Sequence, residues 1–186
     1  MEIGILRHGK PDYVNEASMS ANGFKDWIKN YNDSGLSATS FPSESILAYA
    51  KGYKVILSST LPRSIDSAKA LDARKLVLVE SIFVEAGLPS SDWTFLKLSP
   101  KTWSAIFRIL WLFGYSQNSE SLKEAKERAK KSADYIIQLA SEHQKVLFVG
   151  HGIFNRLIVK ELIKRGWSGP KTLGLNYWSH GSYRKS

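Results

Sequence analysis

Cysteine is absent from the 186 residues. Disulfides, thiolate zinc centres and a cysteine nucleophile are therefore excluded. Long apolar runs are missing as well, since no stretch approaches the ~20 residues of a membrane span. The first residues carry charge and an Arg7-His8 pair where a secretory leader needs an apolar region. A soluble, cytoplasmic protein is the expectation. Acidic residues are the minority, 17 against 26 Lys and Arg, giving a formal net charge of +9. That excess favours anionic partners. The cations are scattered, however, and do not alternate with aromatics in one stripe. Neither nucleic acid nor a membrane surface is expected as a partner. The one tight basic cluster, Lys126, Arg128, Lys130 and Lys131, lies on a segment with Glu120, Glu124 and Glu127 and reads as a solvated face. None of the four histidines pairs at H-x-x-x-H spacing, so no metal site is expected, and no cofactor.

The length suits a single domain spanning 1–186. Four runs read as buried strands: Ile3 to Leu6, Val55 to Leu57, Leu76 to Val79 and Val146 to Val149. They are short and rich in Val, Ile and Leu, without polar alternation, as in a parallel sheet covered on both faces. Helical signals fill the gaps. Phe24, Trp27, Ile28 and Tyr31 share one face behind Ser20 as cap. Ser43 caps a segment ending at Gly52, and Pro62 to about Leu71 is a third helix. Ser121 and Glu124 form a capping box for a long helix, and a last helix stops near Gly166. Strands alternating with helices indicate an open, wound α/β sheet.

The stretch at about 86–118 breaks this alternation. Ser99-Pro100 starts a helix that is apolar nearly all round apart from Arg108 and ends at Gly114. It reads as an aromatic-rich insertion that packs inside or at a dimer interface, so a monomer or a homodimer is expected.

Two islands follow strands directly: Arg7-His8-Gly9 and Gly150-His151-Gly152. Ser58-Ser59 follows a third. Ligands of wound α/β sheets bind beyond the carboxyl ends of the strands. A neutral imidazole there can attack a phosphoryl group held in line, with arginine to stabilise the equatorial oxygens.

These segments resemble the histidine phosphatase superfamily, the phosphoglycerate mutase-like family. Leu6-Arg7-His8-Gly9 is similar to its Arg-His-Gly signature, and Met19-Ser20-Ala21-Asn22-Gly23 to its Leu-Thr-x-x-Gly helix start. Residues Ser58 to Ala68, with Arg63, resemble Ser-Ser-x-x-x-Arg-x-x-x-Thr-Ala. Ser119-Glu120-Ser121 resembles Gly-Glu-Ser, and Val149-Gly150-His151-Gly152 the second histidine motif. The matches keep family order from residue 3 to about 165. The resemblance implies a three-layer αβα sandwich with a mostly parallel sheet. It implies a metal-independent phosphatase that hydrolyses a phosphomonoester, a small phosphorylated substrate, through a phosphohistidine on His8. Arg7, Arg63 and His151 would clamp the phosphoryl oxygens, with backbone N–H groups after Gly152 in support. Glu85, ahead of Glu80 and Asp92, would carry the proton.

The chain departs from the family after the first island. A Ser or Thr and an Asn are replaced by Pro11 and Val14, and Asn15, displaced by one, is the substitute phosphate contact. The Gly-x-Trp-Glu-Gly pattern of sugar-phosphate mutases and bisphosphatases is missing. A phosphoglycerate mutase-type phosphotransferase and a phosphohistidine protein phosphatase are the alternatives within the family. A non-enzymatic anion-binding module is the alternative outside it. A mutase needs a lid against water, and the tail from Gly169 to Ser186 offers little material for one.

Overall fold

The computed structural model describes residues 1–72 and 74–185. All four expected strands form: β1 (Glu2–Arg7), β2 (Val55–Ser59), β3 (Leu76–Glu80) and β4 (Lys145–Gly150). They join one sheet of order β3-β2-β4-β1-β5, parallel throughout except at its last edge. That edge strand, β5 (His180–Arg184), runs antiparallel to β1. Its sequence, His-Gly-Ser-Tyr-Arg, carries one large apolar residue, Tyr183, too few for hydrophobic patterning to mark a strand.

Helices cover both faces, giving the αβα layering. The strands alternate their side chains between them, as period-two geometry requires. Ile3, Ile5, Val146 and Phe148 point into the core shared with α5 (Leu122–His143) and α6 (Gly152–Lys164). Leu6, Ile56, Leu147 and Val149 point into the core under α2 (Glu44–Lys51) and α3 (Pro62–Leu71). The caps sit where the sequence puts them. Ser43 accepts from Ile46 N, and Ser121 and Glu124 complete a reciprocal capping box.

A third cluster lies beyond the sheet. Helix α1 (Ala21–Asp33) packs against α4 (Pro100–Leu112) through Ala21, Phe24, Trp103 and Phe107. The rings of Phe24 and Phe107 stack at 5.8 Å between centroids. Helix α4 is not buried all round. Trp103, Phe107 and Trp111 are enclosed, while Ile109 and Leu112 are more than half exposed. Among the described residues no helix is long and apolar enough to cross a membrane.

Phe148 is fully buried on the central strand and meets Phe83 at 4.6 Å between centroids. Truncation would leave a cavity that neighbouring strands cannot collapse into. Phe148→Ala should therefore lower the unfolding free energy by about 3–5 kcal/mol, read as a lower urea midpoint at an unchanged m-value.

Candidate active site

The carboxyl ends of β1, β2 and β4 lie side by side and deliver Arg7, Ser59 and Gly150 to one place. His8 and His151 follow directly, and their ring centroids stand 5.0 Å apart. Both rings are buried.

His8 Nδ1 lies 2.7 Å from the Gly9 carbonyl oxygen. A carbonyl only accepts, so Nδ1 holds the proton. Nε2 is then the bare nitrogen, and it accepts a hydrogen bond from Arg63 Nε at 3.3 Å. Burial first, then the Arg63 and Arg7 charges, push the His8 pKa well below its ordinary value, against the opposing Gly9 bond. The imidazole is thus neutral, oriented and nucleophilic at Nε2.

Arg63 comes from the first turn of α3, behind Pro62. Besides His8, it donates to the Tyr31 carbonyl at 3.0 Å and to Asn32 Oδ1 at 3.2 Å. The serines around it tie the strand ends together. Ser64 Oγ donates to the Val149 carbonyl, and Ser67 Oγ accepts from the Gly9 N–H. Ser59 Oγ pairs with His151 Nε2 at 2.7 Å. Sequence inspection valued this segment for Arg63 and missed the work of its hydroxyls.

Asn155, one turn into α6, accepts the His151 N–H and donates to the Leu6 carbonyl. It therefore fixes the second histidine relative to the first strand. The absence of a Cβ at Gly150 makes room for it, because an added Cβ would lie 2.3 Å from Asn155 Oδ1. Burial, His8 and the nearby arginines hold the His151 pKa well below its ordinary value.

Two nitrogens at this site, Arg7 Nε and His151 Nδ1, are buried without a hydrogen-bond partner. Among the described residues only Trp167 Nε1 shares that state. A buried polar atom left unpaired costs about 1–3 kcal/mol. No group of three or more His, Asp or Glu among the described residues is placed to hold a metal ion.

Glu85 also belongs to the cluster, in an unexpected posture. Its Oε1 accepts from Ala86 N and from Phe154 N at 2.8 Å, and Oε2 accepts from Ile153 N at 3.2 Å. The carboxylate sits on the amino end of α6, where the helix dipole favours negative charge. The Ile153 and Phe154 N–H groups are thus taken by Glu85, which corrects the expectation that the α6 end is free for phosphate. Arg128 holds the Glu85 loop, donating to the Ile82 and Val84 carbonyls at 2.8 Å and pairing with Glu120. Its guanidinium lies 3.8 Å from the centroid of the Phe154 ring. Arg128 is therefore a packed positioning residue and not part of a solvated face.

Asn15 does not join the others. Its side chain accepts from Ala17 N and its carbonyl from Trp27 Nε1. Asp92 pairs with Lys25, and Glu80 is exposed at the end of β3. The His180 ring packs at a tilt against Tyr49, and His143 is exposed at the end of α5.

The tail corrects a further expectation. Arg7 Nη1 donates to the Leu175 carbonyl, and the Tyr177 ring lies 4.6 Å from the Arg7 guanidinium and 5.9 Å from the His8 ring. Residues from Gly174 to Trp178 form a strap across the site. The tail thus does supply covering material.

A histidine phosphatase superfamily (branch 1) family model matches residues 3–183. The chain belongs to this superfamily. Solved structures with the same fold include a mycobacterial glucosyl-3-phosphoglycerate phosphatase complexed with VO3. It is 22% identical, with a TM-score of 0.62, covering 97% of this chain and 91% of that one. The ecdysone phosphate phosphatase of Bombyx mori, in complex with tungstate, is 15% identical with a TM-score of 0.60, over 99% and 89% of the two chains. An open reading frame of Mycobacterium tuberculosis is 19% identical with a TM-score of 0.61, over 100% and 91%. A search of curated proteins found no match.

Both depressed histidine pKa values carry a stability consequence. In the unfolded chain each histidine titrates near 6.5, and in the fold well below that. The neutral rings therefore favour the fold above about pH 6.5, and this is lost as pH falls from there toward the folded values, by about 1.4 kcal/mol per pH unit for each histidine. In phosphate-free buffer the melting temperature should drop from about pH 7 to about pH 5. The His8→Asn/His151→Asn double variant should show a shallower drop.

Proposed function

We propose that the protein is a phosphatase that hydrolyses a small phosphomonoester through a phosphohistidine on His8, without a metal. The observation that carries this reading is the pair of unpaired buried nitrogens, Arg7 Nε and His151 Nδ1, flanking a histidine whose Nε2 is bare. A phosphoryl group brings oxygens to satisfy such donors and a phosphorus for the nucleophile. Fixed cations then stabilise the charge spread over the equatorial oxygens without reorganising. Two structural neighbours hold VO3 and tungstate, oxyanions of related charge.

The steps follow from the site. His8 Nε2 attacks phosphorus as the ester P–O bond breaks, with Arg7 and Arg63 on the phosphoryl oxygens. Ser59 donates to His151 Nε2, which keeps the His151 proton on Nδ1, ready for an oxygen. Glu85 Oε2 has a single N–H bond and carries the proton given to the leaving oxygen. Water then attacks the phosphohistidine and gives a proton back to Glu85, releasing phosphate and free His8.

Hydrolysis is preferred to transfer because the strap is thin: Tyr177 is 38% and Leu175 44% exposed. The strap itself favours the second reading, a mutase-type transfer. Incubation with a phosphoglycerate separates the two, since hydrolysis yields free phosphate and transfer yields the isomer.

His8→Ala should abolish phosphate release from 4-nitrophenyl phosphate, and a chelator should leave the wild-type rate unchanged. Full activity in the variant would sink the mechanism. Glu85→Gln should slow alkyl esters by roughly 100-fold or more, in the usual range for lost general acid catalysis. The 4-nitrophenyl ester should suffer far less, because its leaving group departs unprotonated.

A further inference from the structure

Next to the phosphoryl site lies a cavity of about 360 Å³ that borders both Arg63 and Glu85. An alcohol leaving from phosphorus would occupy it, because the proton carrier and the clamp share its wall. This volume is at the small end for ligand pockets and accommodates a group of one or two rings.

Each charged group on its wall already spends hydrogen bonds within the protein. Arg63 spends three of its five N–H groups within the protein, on His8, the Tyr31 carbonyl and Asn32 Oδ1, and the two that remain on Nη1 and Nη2 are the ones assigned above to the phosphoryl oxygens. Arg108 donates to the Gly87 and Ala86 carbonyls, both at 3.0 Å. Glu85 accepts three backbone N–H groups. A sugar or polyol here would give up water and find few free partners, a loss that adds up hydroxyl by hydroxyl.

Apart from Asn32, the side chains on the remaining wall are aromatic or aliphatic. Trp27 and Tyr31 stack on each other at 5.0 Å between centroids and 13° between planes. Together with Ile28, Leu61 and Leu88 they line the cavity opposite the charged groups. Burial and the neighbouring Tyr177 push the Tyr31 phenol up to about 12, so it stays neutral. Past Ile28 and Leu88 an open groove carries Lys25, Lys29 and Asp33, mixed charges that select no sign.

We propose that the alcohol part of the substrate is an apolar, ring-bearing group seated against Trp27, Tyr31 and Leu88. The substrate class is then the phosphomonoester of an apolar alcohol, in place of a sugar phosphate or a phosphorylated carboxylic acid. This rests on the phosphatase reading above.

The test compares kcat/KM for primary-alcohol esters, whose leaving groups are similarly difficult. The esters are 2-(1-naphthyl)ethyl phosphate, 2-phenylethyl phosphate, glucose 6-phosphate and 3-phosphoglycerate, with 4-nitrophenyl phosphate as a reactive control. The naphthyl ester should exceed glucose 6-phosphate by roughly 100-fold, with the phenyl ester between them. Trp27→Ala and, separately, Leu88→Ala should each raise KM for the naphthyl ester and narrow that ratio at least several-fold. Two variants on different elements guard against misfolding of one, and circular dichroism checks each. A flat ranking, or glucose 6-phosphate in front, overturns the proposal and leaves the phosphatase reading standing. A lead for 3-phosphoglycerate also overturns it and assigns Arg108 to a carboxylate. No phosphate from any ester, the 4-nitrophenyl control included, overturns the phosphatase reading itself.

Discussion

Arg63 is buried, with 1% of its surface exposed, and every group that it bonds is neutral: an imidazole, a backbone carbonyl and an amide oxygen. Burying a cation without a bonded counter-ion is costly, and desolvation duly pulls the guanidinium below its ordinary pKa. The rest of the site depends on this arrangement. With burial as the larger cause, the same charge helps to keep His8 neutral, aims its Nε2 and leaves the centre short of negative charge. Arg7 reinforces the deficit, and the neutral His151 adds an unpaired N–H donor. Glu85, the carboxylate nearby, is bonded to the α6 amides.

The scaffold for this centre was largely readable from residues alone. Four strands, the helix caps and the positions of Arg7, His8 and His151 follow from apolar runs, capping residues and strand-end placement, while Arg63 is named by the family resemblance. The family resemblance named Glu85, and the fold brings it to the same cluster. Asn15 rests on displaced spacing alone, and its side chain accepts from Ala17 N instead.

What escaped the sequence has physical causes. Arg128 was read with its charged neighbours on a helix, yet the helix turns it inward onto the Glu85 loop and Phe154. Ser59, Ser64 and Ser67 look like ordinary small polar residues until the strand ends converge and each hydroxyl finds a backbone or ring partner. Strand β5 has too few apolar residues to announce itself, and the strap before it owes its position to β1 pairing. Tyr177 reaches Arg7 because Trp178 N donates to the Arg7 carbonyl at 3.2 Å, a contact with no local signature. The α4 insertion was legible as a helix, but which face it hides is decided by α1.

The Glu85 carboxylate joins two things usually kept apart, the ionisation of a side chain and the end of a helix. The Ile153 and Phe154 amides at the start of α6 donate directly to it. In the proposed mechanism Glu85 passes a proton to and fro, and the resonances and hydrogen-exchange rates of these amides would follow it. This helix end is a natural spectroscopic reporter, set 68 residues along the chain from the group that it reports on.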